Sequence, residues 1–236
     1  MKKMTKALKV MMLMAVVLLA AGCNKPDNPD NGGNDNGGDN GGGEVTDLHA
    51  YVDLGLPSGT LWATCNVGAD TPEGYGEYFA WGETEPKGIY KWDNYKYGEY
   101  HYFGIYTKYY DGDGILVLEA MDDAATVNWG DEWRTPTPVE FKELIENTTS
   151  ELTTQNEVKG RLFTAANGKS LFLPASGKHE NEDALYVGAS GYYWSNTRTA
   201  PVATSAYNLD FHSGVFQVSN THREYGLTVR PVRSGK

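Results

Sequence analysis

The longest helical pattern in the folded part of this chain is short, and that limits the architecture. Thr137 has the chemistry of an N-cap, Pro138 suits the first helical position, and Glu140 stands where a capping box needs its reciprocal acceptor. Phe141, Leu144 and Ile145 supply an apolar face at i, i+3, i+4. Upstream, Asp122 and Asp123 precede "AATVNWG", where carboxylates favour a helix start, and Gly130 ends it. Thr135-Pro136 enforces an extended entry into the second helix. Trp133 and Arg134, although conspicuous, are expected to belong to this frame.

Around these two modest helices the pattern is one of short strands. Val52, Leu54 and Leu56 share a parity before the Pro57-Ser58-Gly59 turn, and Leu61, Ala63, Cys65 and Val67 alternate after it. "EYFAWGE" (77–83) is a further short apolar segment. "GRLFTAANGKSLFLPASG" reads as two strands across Asn167-Gly168, a strong hairpin signal. "GYYWSNT" (191–197) begins another strand. Tyr207, Leu209 and Phe211 alternate before a turn at Ser213-Gly214, Val215–Val218 follows, and "GLTVRPVR" (226–233) closes the chain. Locally connected short strands with two helices predict an α+β domain dominated by antiparallel sheet, with long irregular loops. The longest of those is 88–114, where Tyr90, Trp92, Tyr95, Tyr97, Tyr100 and their neighbours crowd one aromatic insertion. It is expected to pack on itself or to offer stacking faces.

The first 44 residues follow a different logic. Residues 1–22 hold Lys2, Lys3, Lys6 and Lys9 and then an apolar run to Ala21, the form of a signal peptide. The ending "LLAAGC" resembles a bacterial lipobox, which implies cleavage before Cys23 and its acylation. Several acyl chains would hold the protein firmly on a membrane. Residues 23–44 form a tether rich in Asn, Asp and Gly, reaching roughly 25 Å on average. The acidic residues soon after Cys23 are similar to export signals of surface lipoproteins. The expected address is the cell envelope, as an outer-membrane lipoprotein exposed at the surface.

The folded part is 45–236. Without the four signal lysines, 20 − 4 = 16 bases face 31 acids, a net charge of −15. No basic stripe is visible, so nucleic acid is not an expected partner. The chain has two cysteines. If Cys23 is acylated, Cys65 is left as a buried inert thiol.

Six segments in order, "VDLGLPSGTLWATCNVGA", "GEYFAWGET", "LEAMDDAATVNWGDEWRTPTPVEFKEL", "LFLPASG", "GYYWSNT" and "GLTVRPVR", resemble the Fibrobacter succinogenes major paralogous domain found in exported lipoproteins of Bacteroidetes. The likeness spans 50–233 and implies a C-type-lectin-like fold. Formylglycine-generating enzymes of that fold need two active-site cysteines, whereas this domain has Cys65 alone. The five histidines show no metal-ligand spacing, and no nucleophile elbow or phosphate-binding loop is present. The chain is therefore expected not to be an enzyme and to carry no cofactor. Asp111, Asp113, Glu119, Asp122 and Asp123 are the candidate ligands for a structural calcium ion, although Ile115 stands where an EF-hand needs oxygen. In place of a sugar-chelating Glu-Pro-Asn loop the chain has Glu85-Pro86-Lys87.

What remains is a monomeric binding module for a glycan or a protein. The fold likeness implies that its ligand surface lies in the C-terminal region, on Trp194, Asn196, Arg198, Tyr207, Asn208, Asp210 and His212. The rival reading is a structural surface or fibre-associated protein with no small ligand, or the variable target of a diversity-generating retroelement.

Overall fold

The computed structural model describes residues 49–100 and 102–235. The expected signal peptide and the whole tether, Cys23 included, lie outside them. Two short strands open the domain, β1 (Tyr51–Asp53) and β2 (Thr60–Ala63), joined through the Pro57-Ser58-Gly59 turn. The aromatic insertion follows, with single-turn 3-10 helices at Trp92–Asn94 and Ala120–Asp122. Then come α1 (Ala124–Trp129) and α2 (Pro138–Glu146). Strands β3 (Thr148–Gln155), β4 (Val158–Ala165) and β5 (Ser170–Pro174) form an antiparallel meander. A small hairpin pairs β6 (Lys178–Glu180) with β7 (Asp183–Leu185). Strands β8 (Gly191–Arg198), β9 (Ser205–His212) and β10 (Val215–His222) make a second meander. The last strand, β11 (Val232–Ser234), returns to pair with β2. The domain is α+β, built mostly of antiparallel sheet.

Helix α2 starts as its sequence demands. Thr137 Oγ1 accepts from the Glu140 N–H at 3.1 Å, and Glu140 Oε2 accepts from the Thr137 N–H at 2.8 Å. Glu140 does more than close the box. Its carboxylate also takes both forks of Arg134, at 2.6 and 2.8 Å, and the Thr60 hydroxyl. Phe141 and Leu144 are fully buried beneath it, beside Trp62, Phe163, Tyr193 and Phe211. Gly191 is required here because a Cβ would run into the Phe211 ring. A second core holds Trp81, Tyr95, Tyr109, Trp194 and Leu227 under the insertion. No helix among the described residues is long and apolar enough to cross a membrane.

Several expectations need correction. Leu61 is half-buried while its neighbour Trp62 is completely buried, because β2 is central and covered on the Trp62 side by α2. Asp123 alone caps α1, accepting from the Ala125 and Thr126 N–H groups. The strand expected over 226–233 is regular only from Val232. Before it, Leu227 and Thr228 make isolated bridges to Phe79 and Tyr193, so this segment stitches separate sheets together. It also buries Arg230, whose guanidinium reaches Asn66 Oδ1 at 2.8 Å and the Thr64 carbonyl at 2.6 Å. Burial draws its pKa down to about 10. Cys65 is buried as expected, but it is not an inert thiol: its sulfur is disulfide-bonded.

Candidate binding site

The aromatic insertion divides into an inward set and an outward set. Trp92, Tyr95, Tyr97, Tyr106 and Tyr109 are buried against one another, mostly edge to face, with centroids 5.1 to 6.4 Å apart. At their centre lies Arg223, fully buried just after β10. Its guanidinium sits 4.3 Å from the Tyr106 centroid and 4.8 Å from the Trp81 ring. It donates to Tyr95 Oη at 3.0 Å and to the carbonyls of Tyr109 and Ala203 at 2.9 and 3.0 Å. A loop with no regular ladder keeps its shape because one planar fork satisfies several of its backbone acceptors. Burial raises the Tyr109 phenol to about 12, although the Glu119 N–H donated to its oxygen works the other way.

Arg198 fastens the other side. It is 2% exposed and donates to the carbonyls of Ile115, Tyr110 and Thr199, each at 2.9 Å, and to Asp111 Oδ1 at 2.8 Å. The expected ligand surface on the C-terminal sheet therefore does not hold together. Trp194 is buried and donates its indole N–H to the Phe79 carbonyl at 2.7 Å. Asn196 is buried with its backbone bonded to Leu118 and Pro136, and Asn208 is 1% exposed. These three and Arg198 form part of the frame. Tyr207, Asp210 and His212 are half-buried on β9, and the two-residue period puts Tyr207 on the opposite face from the other two. Burial raises the Asp210 carboxyl above its usual range, and its Oδ1 has no hydrogen-bond partner.

The candidate calcium ligands are likewise dispersed among protein donors. Asp111 belongs to Arg198. Asp113 accepts from the Tyr110 and Ile115 N–H groups of its own turn. Asp122 takes Lys96 at 2.9 Å, Lys108 at 2.6 Å and the Tyr109 hydroxyl at 2.7 Å. Burial alone would raise the Asp122 carboxyl, but these donors, with Tyr97, outweigh it and hold it well below the carboxylate range. Asp123 is occupied by α1 and by the Thr135 N–H and hydroxyl. Among the described residues no group of three or more His, Cys, Asp or Glu is placed to share a metal ion.

Two recesses border the insertion. The outward set of the insertion includes Tyr102 and Phe103, each more than 60% exposed, with Tyr100, Ile105 and Tyr110. Beside them a recess of about 560 Å³ is lined by Ile105, Tyr106, Tyr110, Pro201, Val202 and Ala203. A smaller cleft of about 310 Å³ lies between Trp92, Asp93, Glu180, Asn181, Glu224 and Tyr225. The Phe103 ring stands 6.0 Å from His222, which itself stands 5.5 Å from Tyr225, so the aromatic tip borders the cleft. Arg223 and Glu224 had no signal in the sequence. They follow a strand at a turn, without charge periodicity or a motif, and only tertiary packing gives them a role.

Residues 131–232 match a family model described as a domain of unknown function (DUF8237). That segment runs from just before α2 to the start of β11. It contains Arg198, Arg223 and Glu224 but not the aromatic insertion. No curated protein and no solved structure matches the chain.

Proposed function

We propose that this is an exported, lipid-anchored, C-type-lectin-like surface protein that binds a glycan or protein partner and does no catalysis. One observation carries the binding reading: large aromatic side chains stand exposed on a tip that two buried arginines fasten to the sheet. Exposed Tyr and Phe on a rigid support lose little side-chain entropy on binding, which is how contact surfaces gain affinity. An apolar rim around a recess is also what a recognition patch has and an ordinary monomer surface lacks. The half-buried Tyr207, Asp210 and His212 keep a peripheral part in this reading.

The fold assignment to the C-type-lectin-like class rests on the six ordered sequence segments. The locally connected antiparallel sheets and two short helices are compatible with it. The anchor reading rests on the lipobox resemblance, and Cys65 sets it a condition. Cys23 is the chain's one other cysteine. A thioether on Cys23 and a disulfide between it and Cys65 are mutually exclusive in one molecule.

The test is an array of glycans and envelope proteins, probed with wild type and with Tyr102→Ser/Phe103→Ser/Tyr110→Ser, each checked for native melting. The rim variant should lose at least tenfold in affinity. A rim variant that binds as wild type, while Tyr207→Ala/His212→Ala does not, would return the ligand to the C-terminal sheet. Intact mass and membrane fractionation of wild type and Cys23→Ala test the anchor: an unacylated wild type, or a variant still on the membrane, removes it.

A further inference from the structure

The smaller cleft contains a buried carboxylate that lacks a partner. Glu224 is 5% exposed and lines the cleft. One of its oxygens, Oε1, lies 3.7 Å from His222 Nδ1, too far for a hydrogen bond. The other, Oε2, is buried with no hydrogen-bond partner at all. Leaving such an acceptor empty costs more than an ordinary hydrogen bond returns. Burial pushes the Glu224 carboxyl up, outweighing its own backbone N–H and the nearby His222 and Arg223.

Apart from His222, whose Nδ1 also lacks a hydrogen-bond partner, the surrounding charged groups are already engaged. Glu180 receives Lys178 at 3.1 Å and the Tyr225 hydroxyl at 3.0 Å. Lys91 is drawn to Asp93 at 4.0 Å. Arg223 turns its fork inward to the insertion, away from its neighbour's carboxylate. Three aromatic rings, Tyr90, Trp92 and Tyr225, line the cleft among polar side chains. The Tyr225 ring already carries one ammonium, Lys178 Nζ, at 4.4 Å from its centroid. A buried carboxylate among aromatic rings is the chemistry that recognises an organic cation.

We propose that this cleft takes a primary ammonium group, with the Glu224 carboxylate as its acceptor and the Tyr225 and Trp92 rings as its walls. A hexosamine or a lysine side chain could deliver such a group. Phe103 packs edge-on against Trp92 at 5.0 Å, so rim variants that keep Phe103, such as Tyr102→Ser/Tyr110→Ser, should leave the cleft intact.

The experiment is an NMR titration of the uniformly ¹⁵N-labelled full mature chain, read at the Trp92 indole N–H, which donates to the Glu99 carbonyl beside the cleft. The probes are glucosamine and Nα-acetyl-lysine amide, each with its N-acetylated neutral counterpart. At least one charged probe should shift the Trp92 signal saturably, and the neutral counterparts should not. Glucosamine alone would indicate an amino-sugar source, and the lysine probe alone a peptide. Glu224→Gln should weaken binding at least tenfold. If that variant fails to melt natively, Glu224→Asp, shorter by one methylene, should show the same loss. The proposal is overturned if neither charged probe shifts Trp92, if neutral and charged probes act alike, or if the folded Glu224 variant binds as wild type.

Discussion

Replacing Arg223 with Met tests whether one buried guanidinium organises the insertion. Met keeps most of the apolar stem and removes every donor. The Tyr109 and Ala203 carbonyls then lose bonds of 2.9 and 3.0 Å inside the protein. Each stranded acceptor costs about 1.5 kcal/mol. Tyr95 is not stranded, because its hydroxyl still donates to the Trp81 carbonyl at 2.7 Å. Losing a desolvated cation from between the rings costs about 2 kcal/mol more. Against this, the variant no longer has to bury a charge, which returns about 2 to 3 kcal/mol. The net is a destabilisation of about 2 to 3 kcal/mol. Urea unfolding followed by tryptophan emission should show a midpoint lower by about 1 M, taking a slope of about 2 to 3 kcal/mol per M. Arg223→Lys separates fork from charge: it keeps a cation among the rings but cannot reach both carbonyls at once, and it should also be destabilised. Unchanged midpoints in both variants would refute the reasoning, since the insertion would then hold its shape through ring packing alone.

Thr137→Ala should lower stability by about 1 kcal/mol, read as a shift of the denaturation midpoint, without altering ligand affinity. Glu140→Ala should cost about 2 to 3 kcal/mol by the same measurement. It breaks a partly buried ion pair and leaves Arg134, Thr60 and Thr137 without their acceptor, and the half-exposed Arg134 softens the loss. Asp122 and Glu140 both have carboxyls held below their usual range, so each adds stability that is present above about pH 4 and lost as pH falls through the folded value. Acid titration by circular dichroism should therefore show Asp122→Asn with a flatter pH dependence below about pH 4 than wild type.

Local signals were readable where local chemistry decides the structure. The capping box of Thr137 and Glu140, the Asn167-Gly168 hairpin and the turn at Ser213-Gly214 each depend on a few adjacent residues. Strand β3, "TTSELTTQ", gave no apolar alternation because it is an edge strand of mostly polar residues, each half-buried or exposed and none fully buried. The β6–β7 hairpin escaped for another reason: it is short and meets the core through the polar His179, against Tyr78 and Tyr90, rather than through an apolar stripe. Parity failed at Leu61 and Trp62, since residues in a short central strand are buried by whatever packs above them rather than by a fixed two-residue rhythm.

The binding surface was harder to read because exposure and burial look alike in an aromatic sequence. Residues 88–114 hold Tyr95, which lies deep in the core, and Tyr102, which faces solvent, seven positions apart and chemically identical. What sorts them is Arg223, more than a hundred residues away, and no local pattern connects the two. The same holds for Arg198. In the sequence it resembles a contact residue on a ligand-facing strand, but once four acceptors close around its fork it becomes a clamp. Two arginines without a contact role place the aromatic tip, so substituting either should perturb binding indirectly, through the loop. A loss of affinity in an Arg198 variant therefore identifies the frame. Only loss in a natively melting rim variant, such as Tyr102→Ser with Phe103→Ser, identifies the surface that touches the partner.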